Sequence, residues 1–162
     1  MRKVISWDEM YLKICRSAAE RSKDDSTQVG ACIVKDRRVL AVGYNGFPSG
    51  IHEDEERWTR PLKYTYVVHA EANCLMSSAR YGVPVDGATL YSTLHPCANC
   101  AKHIVQAGIK EVVYDATIPP RDEHEHWIAA QILSEAGVSV VALNSPNLNG
   151  SSSSNTSLQE NL

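Results

Sequence analysis

The chain has 162 residues, enough for one domain with its own core and no need of disulfide or metal staples. With 43% hydrophobic and 22% charged residues it has the composition of a soluble globular protein, and no apolar run reaches membrane-spanning length. A formal net charge of -3 argues against a protein whose main task is gripping a phosphate polymer. The opening MRKVISWDEMYLK places no apolar segment behind its basic residues, so no secretory signal is expected. Five cysteines, an odd number, point to reduced thiols and a cytoplasmic location.

The first helix is announced by Ser6 and Glu9 in a capping-box pattern, with Trp7, Met10, Tyr11, Ile14 and Ala18 at helical spacing. After the polar RSKDDSTQ come two apolar runs, QVGACIVK and RVLAVGYN, joined by Asp36 and Arg37, which predicts an antiparallel hairpin. Residues 46–66 hold glycines, prolines and a cluster of acids, and read as a long loop of the functional or mobile kind. A short valine strand should precede HAEANCLMSSARYG, which is helical. Then follow the strand ATLYSTL, the helix PCANCAKHIVQAG with Gly108 as its stop, the strand EVVYDA, the helix DEHEHWIAAQILSEAG and the strand VSVVAL. Helix alternating with strand means parallel strands with helical crossovers. The expectation is a three-layer α/β/α domain over residues 1–143, with a five-stranded mixed sheet flanked by helices. Residues 144–162 are rich in Ser and Asn with little to bury, and are expected to be a disordered tail.

Chemistry concentrates in two short stretches. His69 and Glu71 open one predicted helix, and Cys97 and Cys100 open another just after Pro96. Three residues apart on a helix, the two sulfurs share a face. A helix N-terminus favours thiolate over thiol. Helices of an α/β sheet begin beyond the carboxyl ends of strands, where ligand sites form. Two such starts facing each other would gather one imidazole and two thiolates, a three-ligand zinc site with a position left for water. Cys15, Cys32 and Cys74 read as small buried hydrophobes. His95 and His103 flank the cysteines, and spacing alone leaves both open as a fourth ligand. Two thiolates neutralise the ion and weaken its pull on water, so a neighbouring carboxylate, Glu71, would have to accept and deliver the proton. His-x-Glu together with Pro-Cys-x-x-Cys is the pattern of zinc nucleobase deaminases.

At these residues the chain resembles the cytidine deaminase superfamily, and more closely the deoxycytidylate (dCMP) deaminases. STQVGACIV, GYNGFPSG, HAEANCL and PCANCAKHIVQAGIKEVVY carry the likeness, which spans roughly residues 5–143. The resemblance implies zinc on His69, Cys97 and Cys100 and a proton shuttle on Glu71. It also implies Asn45 at the deoxyribose, Lys23 and Ser26 at the phosphate wall, and the backbone N–H of Ala70 at the ring carbonyl. The implied reaction is hydrolysis of dCMP to dUMP and ammonia, supplying dUMP for thymidylate synthesis. Glu71 would move a proton from water to ring nitrogen 3 and then to the departing amine. Activation by dCTP and inhibition by dTTP, read at Gly43, Tyr44, Asn45 and Gly46, and a hexameric assembly follow from the same likeness. Ala72, Cys74 and DATIPPRDEHEHW depart from the family's usual pattern.

A phosphate needs cations or N–H donors, and Arg21, Lys23, Arg57, Arg60, Lys63 and Arg80 are candidates. Glu53, Asp54, Glu55 and Glu56 could hold magnesium accompanying a triphosphate, or form a solvated loop face. His124 and His126, two apart on a helix, read as an exposed acidic helix start rather than a metal pair. Two rival functions remain. One is deamination of another cytosine nucleotide, or of a base in RNA or single-stranded DNA. The other is a non-catalytic zinc module that binds a nucleotide. The acidic HEDEER and the single Phe47 speak against a nucleic-acid channel, and Glu71 speaks against a non-catalytic module.

Overall fold

A computed structural model describes residues 1–120 and 122–144. The Ser/Asn-rich segment expected as a tail lies outside the described residues, apart from its first residue, Asn144.

Helix α1 (Trp7–Ala19) starts as its capping box dictates, with Ser6 N donating to Glu9 Oε2 at 2.8 Å and Glu9 N to Ser6 Oγ at 3.2 Å. Strands β1 (Gly30–Lys35) and β2 (Arg38–Tyr44) form the hairpin read from the sequence. Its turn puts both Asp36 and Arg37 at positive φ, 50° and 61°, the paired left-handed conformation that matches the twist of two-residue hairpins. There follow a 3₁₀ turn (Glu56–Trp58), α2 (Lys63–Tyr66), α3 (Ala70–Arg80), β3 (Thr89–Ser92) and α4 (Ala98–Gln106). The chain continues with β4 (Glu111–Asp115), α5 (Glu123–Glu135) and β5 (Ser139–Leu143). The sheet order is β2-β1-β3-β4-β5. β1 runs antiparallel to both neighbours, while β3, β4 and β5 are parallel, so the sheet is mixed as expected.

Alternation along the strands divides the core in two. Ile33, Leu90 and Val112 pack against Cys74 and Leu75 of α3, Ile104 of α4 and Leu133 of α5. Cys32, Val34, Tyr91 and Val113 point to the other face and meet Tyr11, Leu12 and Cys15 of α1. Helices thus cover both faces, and the fold is α/β/α. Cys15, Cys32 and Cys74 are buried in these layers.

Two expectations need correction. Val67 and Val68 form no strand of the sheet: Val68 makes a single antiparallel bridge with Gly46 and follows the short helix α2. The run is too short to add a strand, and β2 ends the sheet on that side. Residues 46–66 are also more ordered than a plain loop. Phe47 stacks on Trp58, with centroids 4.3 Å apart, and tilts onto Tyr66, which ties the segment around an aromatic cluster.

Candidate active site

α3 and α4 begin side by side, and their starts build the centre. His69 is the N-cap of α3 and Cys97 the N-cap of α4; the Cys97 sulfur accepts from Cys100 N at 3.5 Å. Cys97 therefore caps its helix, and only Cys100 lies within the first turn where both had been expected. Cys97 Sγ and Cys100 Sγ stand 3.4 and 3.5 Å from His69 Nδ1, and one donor atom from each residue lies within 4.8 Å of the others. Tetrahedral zinc with its usual bond lengths sets sulfur and nitrogen roughly 3.6 Å apart, so the donor set fits the ion. Among the described residues this is the single such cluster. His103 is exposed on α4. His95 is held elsewhere: Nδ1 donates to the Pro96 carbonyl at 2.9 Å and its ring meets Tyr114 edge-on. Neither supplies a fourth ligand.

The hydrogen bond from Cys100, with help from His69, draws the Cys97 thiol down to about 3. Sharing its proton with Cys97 and being buried pushes Cys100 up. Glu71, in the first turn of α3, is buried, and desolvation raises its carboxyl above the ordinary range against the pull of His69. Its Oε2 accepts from Cys100 Sγ at 3.7 Å. A carboxyl held this way, beside a metal-ligand cluster, suits taking up a proton and giving it back.

His69, Glu71 and Cys97 open into a cavity of about 230 Å³ that also takes in Asn45, Thr27, Lys63 and Ala70. Asn45 is fixed by two bonds, accepting from Val29 N at 2.8 Å and donating to Thr27 O at 2.9 Å. Lys63 Nζ donates to both Asp24 oxygens at 2.8 Å and to Ser26 Oγ at 2.6 Å. Burial alone would raise the Asp24 carboxyl, but the bonds from Lys63 and Ser26 outweigh it and hold it at about 2. Ser26 itself is exposed beside the cavity, with Arg60 reaching its hydroxyl at 3.3 Å.

Lys23 is not in this cavity. It is exposed and pairs with Glu53 at 2.7 Å. It borders a second cavity of about 180 Å³ with Arg21, Tyr44, Gly46, Phe47 and Trp58. The GYNG stretch therefore runs between two cavities, Asn45 facing the first and its neighbours Tyr44 and Gly46 the second. Gly43 faces neither for a steric reason: a Cβ there would meet Ala70 O at 2.7 Å and Cys74 N at 2.9 Å. Arg57 pairs with Asp54 at 3.1 Å, and Arg80 lies over the ring of Tyr81. With Glu53 and Asp54 thus paired to cations, the four loop acids form no cluster of three ligands among the described residues.

His126 corrects the reading of the α5 start. His124 is exposed against Trp127, but His126 faces the cavity and packs on His95, ring centroids 3.9 Å apart. Sequence reasoning missed it because the long connection after β4 hides which face of α5 turns inward. Asp24 and Thr27 were missed as well, since only the fold brings them to the cavity wall.

An α/β/α sandwich that gathers an imidazole and two thiols beside a buried carboxylate is the centre of a zinc-dependent deaminase. The family model for the cytidine and deoxycytidylate deaminase zinc-binding region matches residues 5–116, and the chain belongs to that family. Deoxycytidylate deaminase of Mus musculus is 40% identical over 141 residues, covering 83% of this chain and 78% of its own. ComE operon protein 2 of Bacillus subtilis is 38% identical over 138 residues, covering 84% and 70%. The crystal structure of dCMP deaminase from cyanophage S-TIM5 with dCMP and dUMP superimposes with a TM-score of 0.73 at 34% identity, covering 88% of this chain and 100% of that one. Among the described residues, no helix is long and apolar enough to cross a membrane.

Proposed function

We propose that the protein hydrolyses dCMP to dUMP and ammonia. One observation carries the reading: a single cavity joins the metal-ligand cluster and Glu71 to Asn45, Thr27 and Lys63, so a reacting base and a sugar phosphate can be held together. The names of the mouse and cyanophage relatives support the same substrate.

Zinc, when bound to His69, Cys97 and Cys100, supplies the Lewis acid that makes water a nucleophile near neutral pH. Glu71 would take one proton from the attacking water and give it to ring nitrogen 3. It would then take the proton of the hydroxyl added at carbon 4 and give it to the amino group, so that ammonia leaves and the carbon 4 carbonyl forms. Ala70 N–H, at the positive end of α3, donates to the ring carbonyl. Asn45, held rigid by Val29 and Thr27, orients the deoxyribose. Ser26 stands at the phosphate side with Lys63 and Arg60 behind it. Lys23 acts at the second cavity instead.

That second cavity supports regulation. Two cations, Arg21 and Lys23, and the stacked Phe47 and Trp58 suit a nucleoside triphosphate, with dCTP activating and dTTP inhibiting. Magnesium would arrive with the triphosphate, since the loop acids are partly engaged by Lys23 and Arg57. A cytoplasmic homo-oligomer, a hexamer by resemblance, is in keeping with the exposed Val39, Val42 and Tyr44 on the edge strand β2.

The test is ammonia release across deoxycytidine, dCMP, 5-substituted dCMP, dCTP and a cytosine-containing single-stranded oligonucleotide. The expected order places dCMP first by at least tenfold in kcat/KM. Preference for the oligonucleotide, with steep salt dependence, would favour a polymer deaminase. No release from any substrate by the zinc-loaded protein would leave a binding module.

A further inference from the structure

A nucleotide phosphate brings about two negative charges, and the wall of the catalytic cavity does not balance them. Among the described residues, Asp24, Glu71, Asp122 and Glu125 line it against one lysine, Lys63, and no arginine. The Lys63 ammonium is already spent, its three donors going to both Asp24 oxygens and to Ser26 Oγ. Ser26 Oγ is saturated as well. It donates to Asp24 Oδ1 at 2.8 Å and accepts from Lys63 Nζ and Arg60 Nη2.

Arg60 stands where the missing charge is needed. Its guanidinium reaches Ser26 Oγ at 3.3 Å with one N–H and keeps four more. It forms no ion pair among the described residues, whereas Lys63, Arg57 and Lys23 are paired to Asp24, Asp54 and Glu53. Tyr64 gives it a platform, with Arg60 Cζ 5.9 Å from the ring centroid. Tyr64 lines the cavity and is also 56% exposed, so it marks the mouth, and Arg60 beside it is open to solvent. A planar guanidinium fork suits two phosphate oxygens. We infer that Arg60, held at the mouth by the Tyr64 ring and Ser26 Oγ, donates to the 5′-phosphate of the bound nucleotide and so sets the preference for a monophosphate over a nucleoside. Tyr64 is a positioning residue that acts through its ring. This inference rests on the dCMP reading above.

The experiment compares Arg60→Met, which keeps the stem without the charge, with Arg60→Lys, which keeps the charge without the fork. Tyr64→Leu removes the platform, and Tyr64→Phe removes only its hydroxyl. All four are measured for kcat/KM on dCMP and on deoxycytidine, and for calorimetric binding of dUMP and deoxyuridine. A hydrogen bond between charged groups is worth about ten- to a hundredfold. Arg60→Met should lose that factor on dCMP and dUMP through KM and Kd, with Arg60→Lys recovering part of it. Tyr64→Leu should lose about two- to fivefold on the same two ligands, the scale of an exposed cation–ring contact, and Tyr64→Phe should match the wild type. Deoxycytidine and deoxyuridine should stay within about twofold throughout. Equal losses with and without the phosphate, no loss in Arg60→Met, or Tyr64→Phe losing as much as Tyr64→Leu would overturn the inference. Wild-type protein with no preference for dCMP over deoxycytidine would instead overturn the reading of the substrate.

Discussion

At the scale of a single residue, the proposed reaction rests on Glu71. Glu71→Gln keeps size and hydrogen bonding but cannot shuttle a proton. It should retain zinc and fold while turnover falls about a hundred- to ten-thousand-fold; near-normal turnover, measured as ammonia release, would assign the proton to another group. Cys97→Ala removes both a ligand and the cap of α4. That variant should lose the metal, read by atomic absorption, and unfold at a lower temperature, because binding energy at such a site is partly folding energy. His69, Glu71, Cys97 and Cys100 were legible in the sequence because ligand spacing at helix starts is a local signal. His126 and Asp24 were not, because a cavity wall is assembled from residues far apart in the chain. Lys23 and Lys63 show the same limit: both are lysines near a polar segment, and only packing sends one to the second cavity and the other to the first.

Between elements, the buried pair of Lys63 on α2 and Asp24 before β1 decides how the loop of residues 46–66 closes on the site. Asp24 also accepts from Ser26 N at 2.9 Å and Thr27 N at 3.2 Å, so it shapes the turn that walls the cavity. Held at about 2 against an ordinary 3.8, Asp24 stabilises the fold above about pH 4, and that gain is lost as pH falls toward 2. Lys63→Met leaves a buried carboxylate without its cation, a loss of about 3–5 kcal/mol. The acid-unfolding midpoint, followed by circular dichroism, should move to higher pH, and adding Asp24→Asn should restore part of the loss. An unchanged midpoint would show that the pair does not hold the loop. Every major helix and strand was legible from periodicity and caps. The short α2 and the 3₁₀ turn were not, since elements of three or four residues carry no period and here sit among the packed rings of Phe47, Trp58 and Tyr66.

For the whole molecule, the proposed regulation would act between two cavities that share one stretch of chain. β2 delivers Asn45 to the cavity beside the metal ligands, while Tyr44 and Gly46 on either side line the other, so under the proposed regulation an effector contacting Tyr44 would act on the neighbouring Asn45. An effector acts only through unequal affinity for two states. dTTP with magnesium should move the dCMP saturation curve to higher concentration, and dCTP should move it back; unchanged curves under both would show an unregulated enzyme. The layered α/β/α architecture was legible because alternating helices and strands admit few topologies. The sheet order and the antiparallel place of β1 needed the structure, since pairing between distant strands leaves no local mark.

The central claim is hydrolysis at carbon 4 of a cytosine nucleotide, and the most direct measurement runs the zinc-loaded protein with dCMP in ¹⁸O-labelled water. Mass spectrometry should find dUMP carrying the label, with one ammonia released for each dUMP formed. Absence of dUMP, or dUMP without the label, would contradict it.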